Sequence, residues 1–228
     1  MIPIRDKTPS QTFPFVNVGL IIINVMIFVY EISLGQEMGP FVEMLGIKPA
    51  RLIWLMNNEP IKIPEMVFPF FSSMFVHGGW FHIIGNMWYL WIFGDNVEDR
   101  MGHTRYLIFY LLCGIAAGAT HVYFNQASNI PTVGASGAIA GVMGAYMMLY
   151  PLGKVSTLVP IFFFITFIDV PALFFLGFWI ILQFVQGTIS STMNQDTAGV
   201  AWWAHLGGFV AGTILIFGFR KYKRRYHA

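Results

Sequence analysis

Apolar runs recur along this chain from residue 14 to residue 219, and they confine it to a narrow set of folds. About 20 apolar residues is the length a helix needs to cross the hydrocarbon core of a bilayer. The runs fall at 14–34, 80–93, 105–124, 133–150, 171–189 and 199–219. Composition agrees: 56% of the 228 residues are apolar and 11% are charged, whereas soluble domains carry roughly a quarter charged residues. Mean hydropathy is +0.64. The chain therefore reads as an all-α, multi-pass integral membrane protein, a bundle of six transmembrane helices forming a single domain over residues 1–228. Residues 1–13 read as an N-terminal tail, 14–219 as the membrane core and 220–228 as a basic C-terminal tail.

The long connection from Gly35 to about Gly79 mixes charged residues such as Glu37, Lys48, Arg51 and Glu65 with Phe41, Leu45, Trp54 and Leu55. That pattern predicts a large amphipathic first loop of short helices lying in the interface. The segment "LVPIFFFITFIDV" at 158–170 is apolar but short and bounded by Pro160 and Pro171. It reads as a re-entrant or interfacial piece, with a seventh span as the alternative. Orientation follows from lysine and arginine. With the N-terminus inside, ten of them fall on the cytoplasmic side, including Arg5, Lys7, Arg100, Lys154 and the cluster in "RKYKRRYHA", against Lys48, Arg51 and Lys62 outside. Both termini are expected to be cytoplasmic. No small-residue cleavage signature follows the first run, so it reads as an uncleaved span.

Polar residues at membrane depth are costly and need a partner or a task. Four stand out: His82 and Asn86 in the second run, Ser136 near the start of the fourth and His205 near the start of the sixth. These three spans run in the same direction, so all four residues fall at similar depth near the outer surface. Serine attacks a carbonyl only with a base and oxyanion donors in reach. His205 can be the base. His82 and Asn86, four apart and so on one helical face, can donate to an oxyanion, and the Ser136 backbone N–H near a helix N-terminus can add a third donor. No Asp or Glu lies at that depth to orient His205, so the pair would act as a dyad. Gly137 and Gly141, with Gly134 and Gly144, form a small-residue face, as do Gly208 and Gly212. Such faces let helix backbones approach closely, which would bring Ser136 to His205. Each of these residues taken singly is more often a packing residue, and the catalytic reading rests on their conjunction. His77, His103, His121 and His227 are read as loop, interface or tail residues.

The chain resembles the rhomboid intramembrane serine proteases from the first span to the sixth. "GASG" at 134–137 resembles the family's G-x-S-G motif, "AHLGGFVAG" at 204–212 its A-H-x-x-G-x-x-x-G motif, and "HGGWFHIIGN" at 77–86 its H-x-x-x-N element. "NVEDRMG" at 96–102 resembles its Glu-x-Arg-x-Gly stretch. The resemblance implies Ser136 as nucleophile, His205 as general base, and His82 and Asn86 as oxyanion-hole side chains. It also implies a water-filled cavity opening outward under the loop after the fifth span, 190–199. Two features depart from the pattern. The first loop reads "VFPFFSSMFVHGG" without the Trp-Arg pair of many members, and Ala140 stands where some carry an aromatic that stacks on the histidine. Support for His205 is then expected from Trp202 or Trp203.

The activity implied is hydrolysis of peptide bonds in or near transmembrane segments, with membrane-protein substrates and the lipid bilayer as partners and no nucleic acid. The alternative is a catalytically inactive rhomboid-like protein that binds membrane clients. A transporter is disfavoured because no charged residue is expected inside the spans and no inverted repeat is visible. No H-E-x-x-H zinc element or membrane aspartate pair occurs, so neither a metal nor a cofactor is expected. The location expected is the inner membrane of a prokaryotic cell.

Overall fold

The computed structural model describes residues 2–161, 164–192 and 201–221. Helices occupy each of the six expected positions: α1 (Phe15–Ser33), α5 (Trp80–Met101), α6 (His103–Phe124), α7 (Ser136–Leu149), α8 (Ala172–Thr192) and α9 (Trp202–Phe219). Between α1 and α5 lie the short helices α2 (Met38–Leu45), α3 (Pro49–Asn58) and α4 (Ile63–Ser72), which build the expected first loop. Of the described helices, α1, α6, α8 and α9 are long and apolar enough to cross a bilayer on their own. Helix α5 qualifies together with α4 and the turn after it, which meet it at 82°. Helix α7 has only 14 residues. The protein is an integral membrane protein, predominantly helical.

Helix boundaries follow local chemistry. The α1 N-terminus leaves backbone N–H groups without helical partners, and the Glu98 carboxylate of α5 accepts two of them, from Val16 (3.0 Å) and Asn17 (2.7 Å). The same contact region places Asn17 against Gly94, where a Cβ would collide with the asparagine side chain, and Tyr106 of α6 donates to Asn17 Oδ1 at 2.8 Å. Helix α5 continues past the expected end at Phe93 to Met101, and stops at Gly102, whose φ of +80° suits glycine. Proline at the first turns of α3 and α4 starts those helices without loss of a hydrogen bond.

The end of the bundle that holds Arg100 and Lys221 carries a sheet that was not expected. The segment around 158–170, read as a re-entrant or interfacial piece with a seventh span as the alternative, is not a spanning helix. It pairs as an antiparallel hairpin, β2 (Lys154–Ile161) with β3 (Phe164–Pro171), in register from Lys154 opposite Pro171 to Ile161 opposite Phe164. The presumed N-terminal tail supplies the third strand, β1 (Ile2–Asp6), which pairs antiparallel with β2. The fold is thus not purely α. Val155, Thr157 and Val159 place branched side chains at alternate positions, which favours a pleated strand; Val155 and Thr157 are buried while Ser156 between them is not. The sheet is tied to the helices by Trp88 Nε1 donating to the Pro3 carbonyl (2.7 Å) and Asn96 Nδ2 donating to Asp6 (2.8 Å).

Helix α7 is the centre of the molecule. Every residue from Gly137 to Tyr146 is buried, with α5, α6 and α9 packed around it. The apolar outer surfaces of α1 and α8, exposing Met26, Val29, Phe174 and Phe178, are the faces a bilayer would cover. The expectation that no charge lies inside a span also fails. Glu31 of α1 is fully buried and accepts the His77 backbone N–H through both oxygens at 3.2 Å.

Candidate active site

Ser136 is the first residue of α7, not a residue four positions inside it. The chain before it is held extended: Thr132 forms a bridge with Ile47, and the Gly134 N–H donates to the Ser73 carbonyl at 2.8 Å. Gly134 has φ +121°, a conformation that L side chains avoid. The helix begins directly after this turn, so the Ser136 hydroxyl stands at a helix N-terminus, where backbone N–H groups and the helix dipole favour negative charge.

Helix α9 brings His205 to the serine. Ser136 Oγ and His205 Nε2 are 2.8 Å apart. The approach depends on the glycine faces read in the sequence. A Cβ at Gly208 would fall on the Gly137 carbonyl oxygen, and one at Gly212 on the Gly141 carbonyl oxygen. On its other side α7 meets α6, where a Cβ at Gly137 would meet Ala117 and one at Gly141 would meet Cys113.

His82 and Asn86 of α5 both border Gly134. A Cβ there would lie 2.5 Å from His82 Nε2 and 3.5 Å from Asn86 Nδ2. The Gly78 N–H points at His82 Nδ1 (3.3 Å). With Nδ1 accepting, the imidazole proton sits on Nε2 and is available to a ligand. Asn86 Nδ2 is buried and has no hydrogen-bond partner among the described residues. Both side chains thus carry an N–H donor beside Gly134, two residues before the serine, as an oxyanion site requires.

Ser136, His205, His82 and His121 line one cavity of about 240 Å³, with Trp202 and Ile130 on its walls. A second cavity of about 30 Å³ also borders Ser136, among Gly118, Gly134, Gly137 and Ala204. His121, read from sequence as peripheral, bonds Thr132 Oγ1 through Nε2 at 2.8 Å and so braces the segment leading to Ser136. His77 is buried with its ring 5.1 Å from that of His82. His103 pairs with Glu98 far from the cavity. His227 and most of the 190–199 loop lie outside the described residues.

The side-chain support of His205 includes one of the two expected tryptophans and adds two residues that were not expected. Trp202 presents its edge at 6.4 Å, but Trp203 stacks on Phe124 and donates to Ser191 instead. The closer ring is Trp179 of α8 at 5.7 Å, and His205 Nδ1 is 2.7 Å from Gln183 Oε1. Neither α8 residue was singled out in the sequence. The available signal was a glutamine inside "WIILQFV", an amide at membrane depth that demands a partner.

Comparison with known proteins bears on the whole chain. RHOMBOID-like protein 1 of Arabidopsis thaliana is 25% identical over 227 residues, covering 91% of this chain and 54% of its own length. The mitochondrial Rhomboid protein 1 of Saccharomyces cerevisiae is 27% identical over 152 residues, 63% of this chain and 39% of its own. The mitochondrial presenilin-associated rhomboid-like protein of Homo sapiens is 27% identical over 155 residues, 63% of this chain and 36% of its own. The chain thus spans about half or less of the length of these relatives. A family model described as the Rhomboid domain matches residues 64–222, which takes in α5, α7 and α9 with His82, Asn86, Ser136 and His205. With most of its length inside that match, this chain belongs to the rhomboid family.

Proposed function

We propose that the protein is an intramembrane serine endopeptidase that cleaves peptide bonds in or near transmembrane segments of other membrane proteins. The observation that carries this reading is the 2.8 Å contact between Ser136 Oγ and His205 Nε2 in a cavity also lined by His82, with Asn86 beside His82 at Gly134. His205 takes the hydroxyl proton as Oγ attacks the substrate carbonyl carbon. The C=O electron pair moves onto oxygen, and His82, Asn86 and the Ser136 N–H donate to that oxyanion. Collapse of the tetrahedral intermediate breaks the C–N bond while His205 returns the proton to the leaving amine. An acyl ester on Ser136 remains. Water then repeats the sequence, with His205 as its base, and releases the new carboxyl end.

The 30 Å³ space beside Ser136 is small and lined mostly by glycine and alanine, with Ile47 and Met74. It suits a small side chain on the N-terminal side of the scissile bond. In this reading both termini lie on the cytoplasmic side of a prokaryotic inner membrane, as the arginine and lysine distribution supports, and the cavity opens to the opposite side.

The test uses purified wild type, Ser136→Ala and His205→Ala in detergent with a model transmembrane substrate. Each variant is expected to fall to background cleavage while keeping its thermal midpoint, because nucleophile and base act as one unit. A fluorophosphonate should label Ser136. Cleavage by Ser136→Ala at the wild-type rate would replace this reading with that of a client-binding protein.

A further inference from the structure

We infer that Gln183 of α8 is a positioning residue that holds His205 in the tautomer able to accept the Ser136 proton. The inference rests on the protease reading above and adds a third member to what the sequence presents as a dyad.

A neutral imidazole carries one proton on two nitrogens, and only the nitrogen without it can act as a base. For His205 to take the Ser136 proton across the 2.8 Å contact, that nitrogen must be Nε2, and the proton must then sit on Nδ1. The partner at Nδ1 decides this. Gln183 Oε1 lies 2.7 Å from it, and an amide oxygen can only accept, so the bond places the proton on Nδ1. Gln183 is 8% exposed, which keeps water from competing for the same nitrogen. When His205 becomes imidazolium during attack, the Nδ1–H bond to Gln183 becomes charge-assisted and strengthens as the transition state is approached. A carboxylate would do the same more strongly, but a lone buried charge in this apolar setting carries a large desolvation cost. The neutral amide orients the ring without that cost.

The arrangement belongs to one face of α8. Trp179, one turn before Gln183, sets its ring 5.7 Å from the imidazole and 6.2 Å from Phe209, so the plane of His205 is confined as well as its tautomer. Gly187, one turn after, faces Trp202 and Trp203, where a Cβ would lie 3.2 Å and 3.4 Å from their atoms. The glycine lets α8 approach α9 closely enough for Gln183 to reach. Trp179 thereby fills the place left by Ala140, which has no ring to offer.

The experiment compares wild type, Gln183→Leu and Gln183→Glu as full chains in detergent. Gln183→Leu removes the acceptor at similar size; kcat is expected to fall on the order of 100-fold, as for a misplaced catalytic group, with KM unchanged. Gln183→Glu keeps an oxygen facing Nδ1, its buried carboxyl escapes the cost of a charge by taking up a proton, and it should restore most of kcat. A Leu variant within a few-fold of wild-type kcat, a loss that appears in KM alone, or a Glu variant no better than Leu overturns the assignment. A second measurement needs no variant beyond identification of the signal: histidine-labelled ¹⁵N spectra of the wild type should show His205 protonated at Nδ1, and protonation at Nε2 in the resting protein overturns it. Loss of the protease reading itself is seen separately, as wild-type cleavage that survives Ser136→Ala.

Discussion

Gly208 of α9 rests its α-carbon against the carbonyl oxygen of Gly137, so the two helices meet backbone to backbone one residue along α7 and three along α9 from the contact between Ser136 and His205. Distance between these helices sets the distance between nucleophile and base. A methyl group at Gly208 has nowhere to go, because the neighbouring atom is backbone and cannot rotate away.

Gly208→Ala should therefore cost about 1–3 kcal/mol by overpacking, and reduce cleavage by more than the loss of folded protein explains. Gly218→Ala on the same helix is the control, since nothing lies within 4 Å of a Cβ there. Thermal unfolding and cleavage rates of the two variants, measured side by side, check this. Equal behaviour of the two would mean that α9 shifts freely against α7.

Gly134→Ala acts on the oxyanion side. The residue has φ +121° and its Cβ would press on His82 Nε2, so both strain of about 1–3 kcal/mol and displacement of a donor are expected. Asn86→Ala removes the other donor without strain and should lower kcat about 10²–10³-fold, the usual size for one oxyanion partner. Steady-state kinetics should show KM little changed in Asn86→Ala. A large rise in KM at constant kcat would assign Asn86 to substrate binding instead.

The residues brought together near Gly134 and Ser136 were legible because their types are rare at membrane depth: Ser136, His82, Asn86 and His205 each interrupt an apolar run. Gln183 and Glu31 interrupt runs in the same way, and their partners were not legible because neither sits in a recognisable spacing with the residue it contacts. The sheet was hidden for a different reason. A short apolar run reads alike as strand or buried helix, and the partner of 154–161 is the N-terminal strand about 150 residues away. The late start of α7 was hidden too, since "TVGA" is apolar enough to extend a hydropathy run, while the turn at Gly134 depends on φ.

The docking of β1 should depend on pH. Asp6 accepts from Tyr146 (3.0 Å), Asn96 (2.8 Å) and the Thr8 N–H (3.2 Å), yet burial outweighs these bonds and pushes its carboxyl from 3.8 up to about 6. A carboxyl raised in the folded state binds its proton more tightly there than when unfolded. Its contribution is then fully present below about 3.8 and is lost as pH rises through about 6. Amide exchange of β1, corrected for intrinsic rates, should be slower at pH 5 than at pH 7, and Asp6→Asn should flatten the difference. An undiminished pH dependence in Asp6→Asn would place the titrating group elsewhere.

The length of α7 sets where a substrate should be cut. Fourteen residues span about 21 Å at 1.5 Å per residue, whereas the hydrocarbon core is about 30 Å thick. If the end of α7 near the sheet reaches the cytoplasmic boundary, Ser136 at the other end lies about 9 Å below the outer one, or about six helical residues into a substrate span. At that depth a substrate helix has its carbonyls bonded internally and its backbone shielded by side chains, so it must unwind locally before Oγ can attack. Glycine and proline lower that cost, by about 1 and 3 kcal/mol relative to alanine. A substrate series with one glycine stepped along the span should show a cleavage maximum when the glycine falls within the first two turns from the outer side, with product masses placing the cut beside it. Efficient cutting at the cytoplasmic end, or rates indifferent to the helix breaker, would overturn both the orientation and the requirement for unwinding.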